Sequence, residues 1–239
     1  MVDLTDSTGT IKGIDGTLLK IIAVMAMTSD HVALLFFADV AAVYFPARII
    51  GRIAAPIMCC MLAEGYRRTS SLKKYFLRLF AFALLSQIPY SLAFRGTIFD
   101  YTDYNVLFTL TLALAALALF DRIKNGALKI ILPLPVIALS YFCDWGVTAP
   151  LYAIAFFSAG DDRYKRTAFS IGIAIVYVAV ALFTRTAEAT IISTGLFLAP
   201  IPLFFYNGTR GRKTKAGKWF FYCYYPAHLA LLYVITLLV

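Results

Sequence analysis

Long apolar runs recur along almost the whole chain and are separated by short polar segments rich in Lys and Arg. A helix that crosses the hydrocarbon layer needs about 20 mainly apolar residues, because the layer is about 30 Å thick and each residue rises about 1.5 Å. The chain has 61% hydrophobic and 15% charged residues, whereas soluble domains have about 25% charged residues. This pattern excludes a soluble globular protein and predicts an all-α, polytopic integral membrane protein.

Nine apolar runs are candidates for membrane spans, and the expected count is eight or nine. They cover residues 18–38, 46–65, 74–94, 105–120, 128–142, 146–158, 167–184, 190–206 and 219–239. The fifth and sixth runs are shorter than a full span, so we expect them either to cross or to form a bent, re-entrant pair. There is no visible internal repeat or linker, and we treat residues 1–239 as one transmembrane domain.

The positions of the 22 Lys and Arg residues predict the orientation of these spans. Positively charged residues accumulate in short cytoplasmic loops. With the N-terminus in the cytoplasm, most of them fall on the cytoplasmic side, and only Arg48, Arg95 and Arg185 fall in outer loops. The net charge of +9 therefore indicates membrane topology rather than a nucleic-acid partner. The spacing of the four cysteines indicates no metal site.

Ionisable and amide side chains interrupt four of the predicted spans at a similar depth. An ionisable group near the membrane centre costs at least about 2.5 kcal/mol on insertion scales, so such groups tend to face a functional cavity. At helical rise, five side chains fall slightly outside the midplane: Asp30, His31, Arg52, Gln87 and His228. Their common depth is the main functional signal, and Tyr90 and Asn105 are placed to rim the same cavity.

Each of these residues also has a purely structural interpretation. His31 and His228 are the only histidines, and a buried histidine often only bonds a neighbouring helix. His31, next to a carboxylate, is the stronger candidate for catalysis. Asp30 and His31 lie about 100° apart on a helix and cannot pair within it, so we expect Asp30 to pair with Arg52. The amide side chains are also typical of bonds between helices.

Five segments in this order resemble the TraX family of membrane proteins. They are LKII…MTSDH (19–31), IGRIAAP…AEGY (50–66), RL…SQIPY (78–90), NVLFT (105–109) and YYPAHL (224–229). The family's named activity is N-acetylation of the pilin subunit of conjugative plasmids. The family is also similar to a wider class of transmembrane acyltransferases that use cytoplasmic acetyl-CoA. The resemblance implies such an enzyme in the inner membrane of a bacterium.

On this basis we expect a membrane acetyltransferase that moves an acetyl group from acetyl-CoA to an extracytoplasmic acceptor. An imidazole titrates near neutral pH, so His31 is expected to be the general base or an acyl carrier. Asp30, Arg52 and His228 complete the predicted catalytic set. Gln87, Asn105 and Tyr90 are expected to bind the acceptor, which is a pilin-like peptide amine or a hydroxyl. The phosphates of acetyl-CoA are expected to bind cytoplasmic cations: Arg67, Arg68, Lys73, Lys74, Arg210, Arg212 and Lys213.

Two other functions fit the same intramembrane polar groups. A transporter or channel for a small solute also uses bent helices and polar side chains at the midplane, although no two-half repeat is visible. A scaffold that assembles other membrane proteins is a weaker alternative, in which the polar groups only join helices.

Overall fold

The computed structural model describes residues 13–211 and 214–238. Within these ranges the chain is helical, with two isolated β-bridges and no strand. The α-helices are α1 (Gly16–Phe36), α2 (Ala41–Gly51), α3 (Ala54–Arg68), α4 (Leu72–Arg95), α5 (Val106–Arg122), α6 (Gly126–Ile131), α7 (Leu134–Leu139), α8 (Thr148–Ala159), α9 (Arg163–Thr184), α10 (Ala187–Ser193), α11 (Pro200–Phe205) and α12 (Lys215–Thr236). Two 3₁₀ helices, Ser140–Phe142 and Thr194–Leu198, follow α7 and α10. The prediction of an all-helical chain is confirmed over the described residues.

Side-chain caps determine where several of these helices begin. Asp15 accepts hydrogen bonds from the backbone N–H groups of Thr17 and Leu18 at 2.9 and 2.8 Å. Asn105 caps α5 and Asp162 caps α9 in the same way. These side chains satisfy backbone donors that have no partner within the helix.

Among the residues that the structure describes, five helical stretches are long and apolar enough to cross a membrane. They are Gly16–Phe36, Ala41–Arg68, Leu72–Arg95, Arg163–Thr184 and Ala187–Phe205. The protein is therefore a membrane protein with several apolar helices. The count of eight or nine spans and the cytoplasmic N-terminus stay predictions.

Three predicted runs are divided rather than continuous. Run 46–65 is interrupted between α2 and α3, because Pro56 lacks the N–H that would bond the carbonyl of Arg52. Run 128–142 consists of α6, α7 and a 3₁₀ turn, and run 190–206 also contains a 3₁₀ segment. The breaks in runs 46–65 and 190–206 were not predicted, since periodicity does not reveal where a single hydrogen bond is lost, whereas a bend was one of the two expectations for run 128–142.

Small side chains allow α3 to lie at the centre of the helices. Most residues of α3 are buried, and it packs against α1, α5 and α8. Ala23, Ala113 and Ala153 on those three neighbours are almost completely buried. Small residues let helix backbones approach closely in lipid, where there is little hydrophobic driving force between helices.

Five helices form a closed ring of contacts. The packing runs from α1 to α3, then to α5, α4 and α12, and back to α1. A ring of this kind leaves an interior that none of the five helices fills.

Candidate active site

The five-helix ring encloses a cavity of about 510 Å³. Apolar side chains such as Met27, Met58 and Leu110 form part of its wall. Its polar and aromatic lining comprises Asp30, His31, Arg48, Arg52, Tyr90, Phe94, Arg95, Asp103, Asp144, Trp145, Phe221, Tyr224 and Tyr225. This volume falls within the range of small-molecule sites, about 300–1,000 Å³. The cavity is thus large enough for part of a ligand and is rich in charge.

His31 and His228 form a direct hydrogen bond across the helix interface. Nδ1 of His31 lies 2.8 Å from Nε2 of His228, and both side chains are buried. Nδ1 of His228 lies 3.0 Å from the carbonyl oxygen of Tyr224, which can only accept. With both rings neutral, Nδ1 of His228 carries its hydrogen, and Nε2 accepts from His31. These hydrogen bonds leave Nε2 of His31 without a hydrogen, so this nitrogen has a lone pair that can accept a proton. His31 lines the cavity.

Two further contacts fix the orientation of this histidine pair. The hydroxyls of Thr28 and Tyr224 lie 2.8 Å apart and join α1 to α12 at the level below. The ring of Phe94 packs edge-on against His31, with 5.1 Å between the ring centroids. Residues of α1, α4 and α12 thus hold the two imidazole rings in place. The sequence placed His31 and His228 at one level but did not predict their contact.

Asp30 binds two arginines at the cavity wall. Its carboxylate oxygens lie 2.6 and 2.7 Å from Nη2 of Arg52, and Oδ2 lies 2.7 Å from Nη1 of Arg48. The expected pair of Asp30 and Arg52 is present. The assignment of Arg48 to an outer loop was wrong, because Arg48 lies in α2 and its side chain turns inward. One carboxylate facing two guanidinium groups leaves an excess of positive charge here.

Gly51 makes this arrangement sterically possible. A Cβ atom at position 51 would lie 2.4 Å from both Cβ and Oδ1 of Asp30. Only a residue without a side chain allows α2 to approach α1 so closely. The glycine therefore contributes directly to the position of the carboxylate between its arginines.

The 143–147 loop supplies two cavity residues that sequence reasoning missed. Trp145 has φ of 68°, a left-handed conformation that is unusual for a residue with a side chain. Its indole lies against Arg52, with 5.0 Å between the guanidinium carbon and the ring centroid. Backbone strain of this kind persists where the surroundings demand it. Here it directs the indole toward the cavity wall.

Asp144 is held in the same loop by backbone contacts to the start of α5. Its N–H donates to the carbonyl of Tyr104 at 2.7 Å, and its carbonyl accepts a short hydrogen bond from the hydroxyl of Thr109. Asp144 lies in the link between the apolar runs 128–142 and 146–158. An acidic residue in such a short link is the sequence feature that could have predicted a cavity residue here. Burial raises the pKa of its carboxyl to about 6, while the nearby charge of Arg52 lowers it.

Gln87 and Asn105 lie behind the cavity wall rather than in it. The Nδ2 of Asn105 donates to Oε1 of Gln87 at 2.8 Å, and Gln87 donates to the carbonyl of Asp103 at 3.0 Å. Both side chains are fully buried and hold the 96–105 segment against α4. Tyr90 does line the cavity, and its hydroxyl donates to Asp103 at 2.9 Å. Acceptor binding by these residues stays a prediction.

The predicted donor-binding cations have different surroundings. Arg67 and Arg68 lie 2.8 and 2.7 Å from the buried carboxylate of Glu64. Lys73, Lys74 and Arg210 are exposed, whereas Arg212 and Lys213 lie outside the described residues. Arg67 also donates to the carbonyls of Phe156 and Phe157, so much of its hydrogen-bonding capacity is used internally.

Comparison with known proteins finds similarity over most of the chain. The chain is similar to "Probable fimbrial assembly protein FimC, serogroup H1" of Dichelobacter nodosus, with 33% identity over 231 residues, or 90% of this chain and 92% of that protein. No solved structure matches the chain. The sequence profile described as "TraX protein" matches residues 15–236. The chain belongs to the TraX family.

Proposed function

We propose that this protein is an integral membrane acetyltransferase. It moves an acetyl group from acetyl-CoA to an amine or hydroxyl acceptor, with His31 as the central group. The observation that carries this proposal is the hydrogen bond from His31 to His228, because it fixes the tautomer of a buried histidine in a cavity wall. A scaffold that only joins helices has no need for an unprotonated, cavity-lining nitrogen.

His31 acts as a general base through Nε2. The acceptor attacks the thioester carbonyl carbon and loses a proton to this nitrogen, which gives an imidazolium. The charge is shared with His228 through the hydrogen bond on Nδ1. When the tetrahedral intermediate collapses, the C–S bond breaks and the same proton passes to the sulfur of coenzyme A. No proton is gained or lost by His31 over the cycle.

The same lone pair could instead attack the thioester and carry the acetyl group. In that case the C–S bond breaks first and coenzyme A leaves as a thiolate. The acceptor then takes the acetyl group from Nε2 of His31, and the proton that the acceptor loses passes to the thiolate. Acid quenching after mixing with labelled acetyl-CoA distinguishes the two routes, since only the second leaves label on the protein.

The arginines beside Asp30 stabilise the developing oxyanion. Arg48 and Arg52 share one carboxylate, and the Nε of each is buried without a hydrogen-bond partner among the described residues. Preorganised donors with surplus positive charge stabilise a tetrahedral oxyanion strongly in a site of low dielectric. Trp145 keeps Arg52 in place by stacking on its guanidinium group.

Acetyl-CoA reaches the cavity from the end where α1 begins. Lys20 lies on the face of α1 that also carries Val24 and the cavity residue Met27, and it is close enough to Arg210 for their charges to repel. Its ammonium lies 5.4 Å from the ring centroid of Phe221, another cavity residue. Two adjacent cations at this end favour a phosphate. Arg67 and Arg68 contribute less, because Glu64 already neutralises part of their charge.

The acceptor is a pilin-like or fimbrial subunit on the extracytoplasmic side of a bacterial inner membrane. Two comparisons support this choice: the TraX family, and a relative whose name refers to fimbrial assembly. The acetyl group would go to a peptide amine or to a hydroxyl on such a subunit.

The direct test uses purified protein in detergent with labelled acetyl-CoA. Wild type is expected to transfer label to a peptide acceptor or to release acetate slowly. His31→Ala should abolish both reactions while the protein remains folded. Transfer at the wild-type rate in this variant would remove His31 from the mechanism. Reconstituted vesicles that pass a small solute but never turn over acetyl-CoA would favour a transporter or channel.

A further inference from the structure

The hydroxyl of Tyr225 is buried in the cavity wall without a hydrogen-bond partner. Tyr225 lines the cavity and is 4% exposed. Among the described residues that line the cavity, three buried side-chain atoms lack a partner: Nε of Arg48, Nε of Arg52 and this hydroxyl. Both arginines bind Asp30 through their other nitrogens. A buried hydroxyl without a partner destabilises a fold, so its presence here points to a ligand.

Tyr225 packs against the histidine pair. Its ring centroid lies 6.5 Å from that of His31 and 5.5 Å from that of His228. The backbone N–H of Val106, the first residue of α5, faces the hydroxyl oxygen outside normal hydrogen-bond geometry. The start of a helix favours negative charge, and a phenol, which is neutral at pH 7, donates a hydrogen bond. The position therefore suits an atom that gains negative charge beside His31.

Two atoms of a thioester gain negative charge during acyl transfer. The carbonyl oxygen does so in the tetrahedral intermediate, and the sulfur does so when the C–S bond breaks. Arg48 and Arg52 lie close enough to His31 for their charges to act on it, and their positive charge suits the oxygen. Tyr225 packs edge-on against His31 from α12. With the carbonyl carbon at Nε2 of His31 and its oxygen at the arginines, the sulfur is left on the side of Tyr225.

The proposed path of acetyl-CoA leads to the same side. Phe221 precedes Tyr225 by four residues, so both lie on one face of α12, and both line the cavity. Lys20 lies over the ring of Phe221 at the end where acetyl-CoA enters. Tyr225 is about 4.5 Å nearer this end than His228 at helical rise. Because the sulfur follows the acetyl group into the cavity, it lies nearer the entrance, on the side of Tyr225.

We infer that the hydroxyl of Tyr225 donates a hydrogen bond to the sulfur of coenzyme A as the C–S bond breaks, which makes Tyr225 a catalytic residue. This inference rests on the proposed acetyl transfer and adds the group that stabilises its leaving thiolate. The electron pair of the C–S bond moves to sulfur, and the proton that the acceptor lost completes the thiol. Tyr225 keeps its own proton throughout. The role is the same whether His31 is a base or an acyl carrier, since both routes release sulfur.

Steady-state rates of Tyr225→Phe with labelled acetyl-CoA in detergent test the inference. The variant removes one oxygen and keeps the ring. We expect kcat to fall by about 10–10²-fold and KM to change by less than about threefold, because the hydrogen bond strengthens only as charge develops on sulfur. Tyr222→Phe is the matched control on the same helix. Tyr222 packs against Phe82 and Trp219, and its loss should change kcat by less than about twofold.

Two further measurements separate this role from a structural one and from a contact with the carbonyl oxygen. Thermal unfolding of Tyr225→Phe should occur at or above the wild-type midpoint, because the variant removes a buried hydroxyl that has no partner. An acetyl-CoA analogue with CH2 in place of sulfur keeps the carbonyl oxygen. It should bind wild type and Tyr225→Phe with affinities within about twofold of each other. Competition with labelled acetyl-CoA measures this affinity.

Four results would overturn the inference: a wild-type kcat in Tyr225→Phe, an equal loss in Tyr222→Phe, a midpoint well below wild type, or a loss of affinity for the sulfur-free analogue as large as the loss of kcat. The last two would make the hydroxyl a structural group or a partner of the carbonyl oxygen. Turnover of acetyl-CoA by wild type separates this failure from that of the proposed function. Without such turnover the proposed function fails, and the assignment of Tyr225 fails with it.

Discussion

Nδ1 of His31 and Nε2 of His228 lie 2.8 Å apart although 197 positions separate them in the chain. The first residue lies in α1 and the second in α12, and these helices close the ring around the cavity. The backbone carbonyl of Tyr224 fixes the tautomer of His228, and His228 fixes that of His31. A second histidine and a peptide carbonyl thus hold the tautomer of His31, as a carboxylate holds that of the histidine in many catalytic triads.

The effect of a His228 substitution on kcat/KM should therefore depend on whether the new side chain can accept a hydrogen bond from His31. His228→Phe removes the acceptor, so both tautomers of His31 compete and kcat/KM should fall by about 10²–10³. His228→Gln offers an amide oxygen to Nδ1 of His31 and should keep the loss within about tenfold. Steady-state rates with labelled acetyl-CoA measure this difference. Equal rates for both variants would contradict an orienting role.

Gly51→Ala should destabilise the fold through Asp30. The new Cβ would lie 2.4 Å from Asp30, whose carboxylate cannot move without leaving Arg48 or Arg52. Overpacking of this kind costs about 1–3 kcal/mol. Gly172→Ala is the control, because nothing lies within 4 Å of a Cβ at that helical position. Thermal unfolding should show a lower midpoint for Gly51→Ala alone, and equal midpoints would show that α1 and α2 separate easily.

The sequence was sufficient to predict the helical class and three of the residues that line the cavity, Asp30, His31 and Arg52. Apolar runs of span length and the cost of charge in lipid are properties of single segments, so they are visible without a fold. Asp30, His31 and Arg52 line the cavity for this reason. Depth along a helix follows from residue number alone, and a shared depth is a necessary condition for contact.

The sequence could not predict which helices are neighbours or in which direction each side chain points. Gln87 shares the depth of His31 but points toward Asn105 behind the wall. Asp144 and Trp145 lie in a link of non-regular backbone, where helical rise gives no depth. Arg48 was placed by loop charge alone, and only the packing of α2 on α1 turns it toward Asp30.

Glu64→Gln should lower stability by more than loss of a surface ion pair would. The buried carboxylate binds Arg67 and Arg68 together, and its removal leaves two guanidinium groups with a neutral partner. Loss of one member of a buried pair costs about 3–5 kcal/mol, but both arginines are partly exposed, so we expect about 1–3 kcal/mol.

Asp161→Asn provides the matched comparison for Glu64. Asp161 lies 3.8 Å from Arg67, but its side chain is 88% exposed, so its loss should change the free energy of unfolding by less than about 0.5 kcal/mol. Denaturation of both variants in the same detergent measures the difference. If both variants unfold like wild type, Glu64 does not anchor this end of α3.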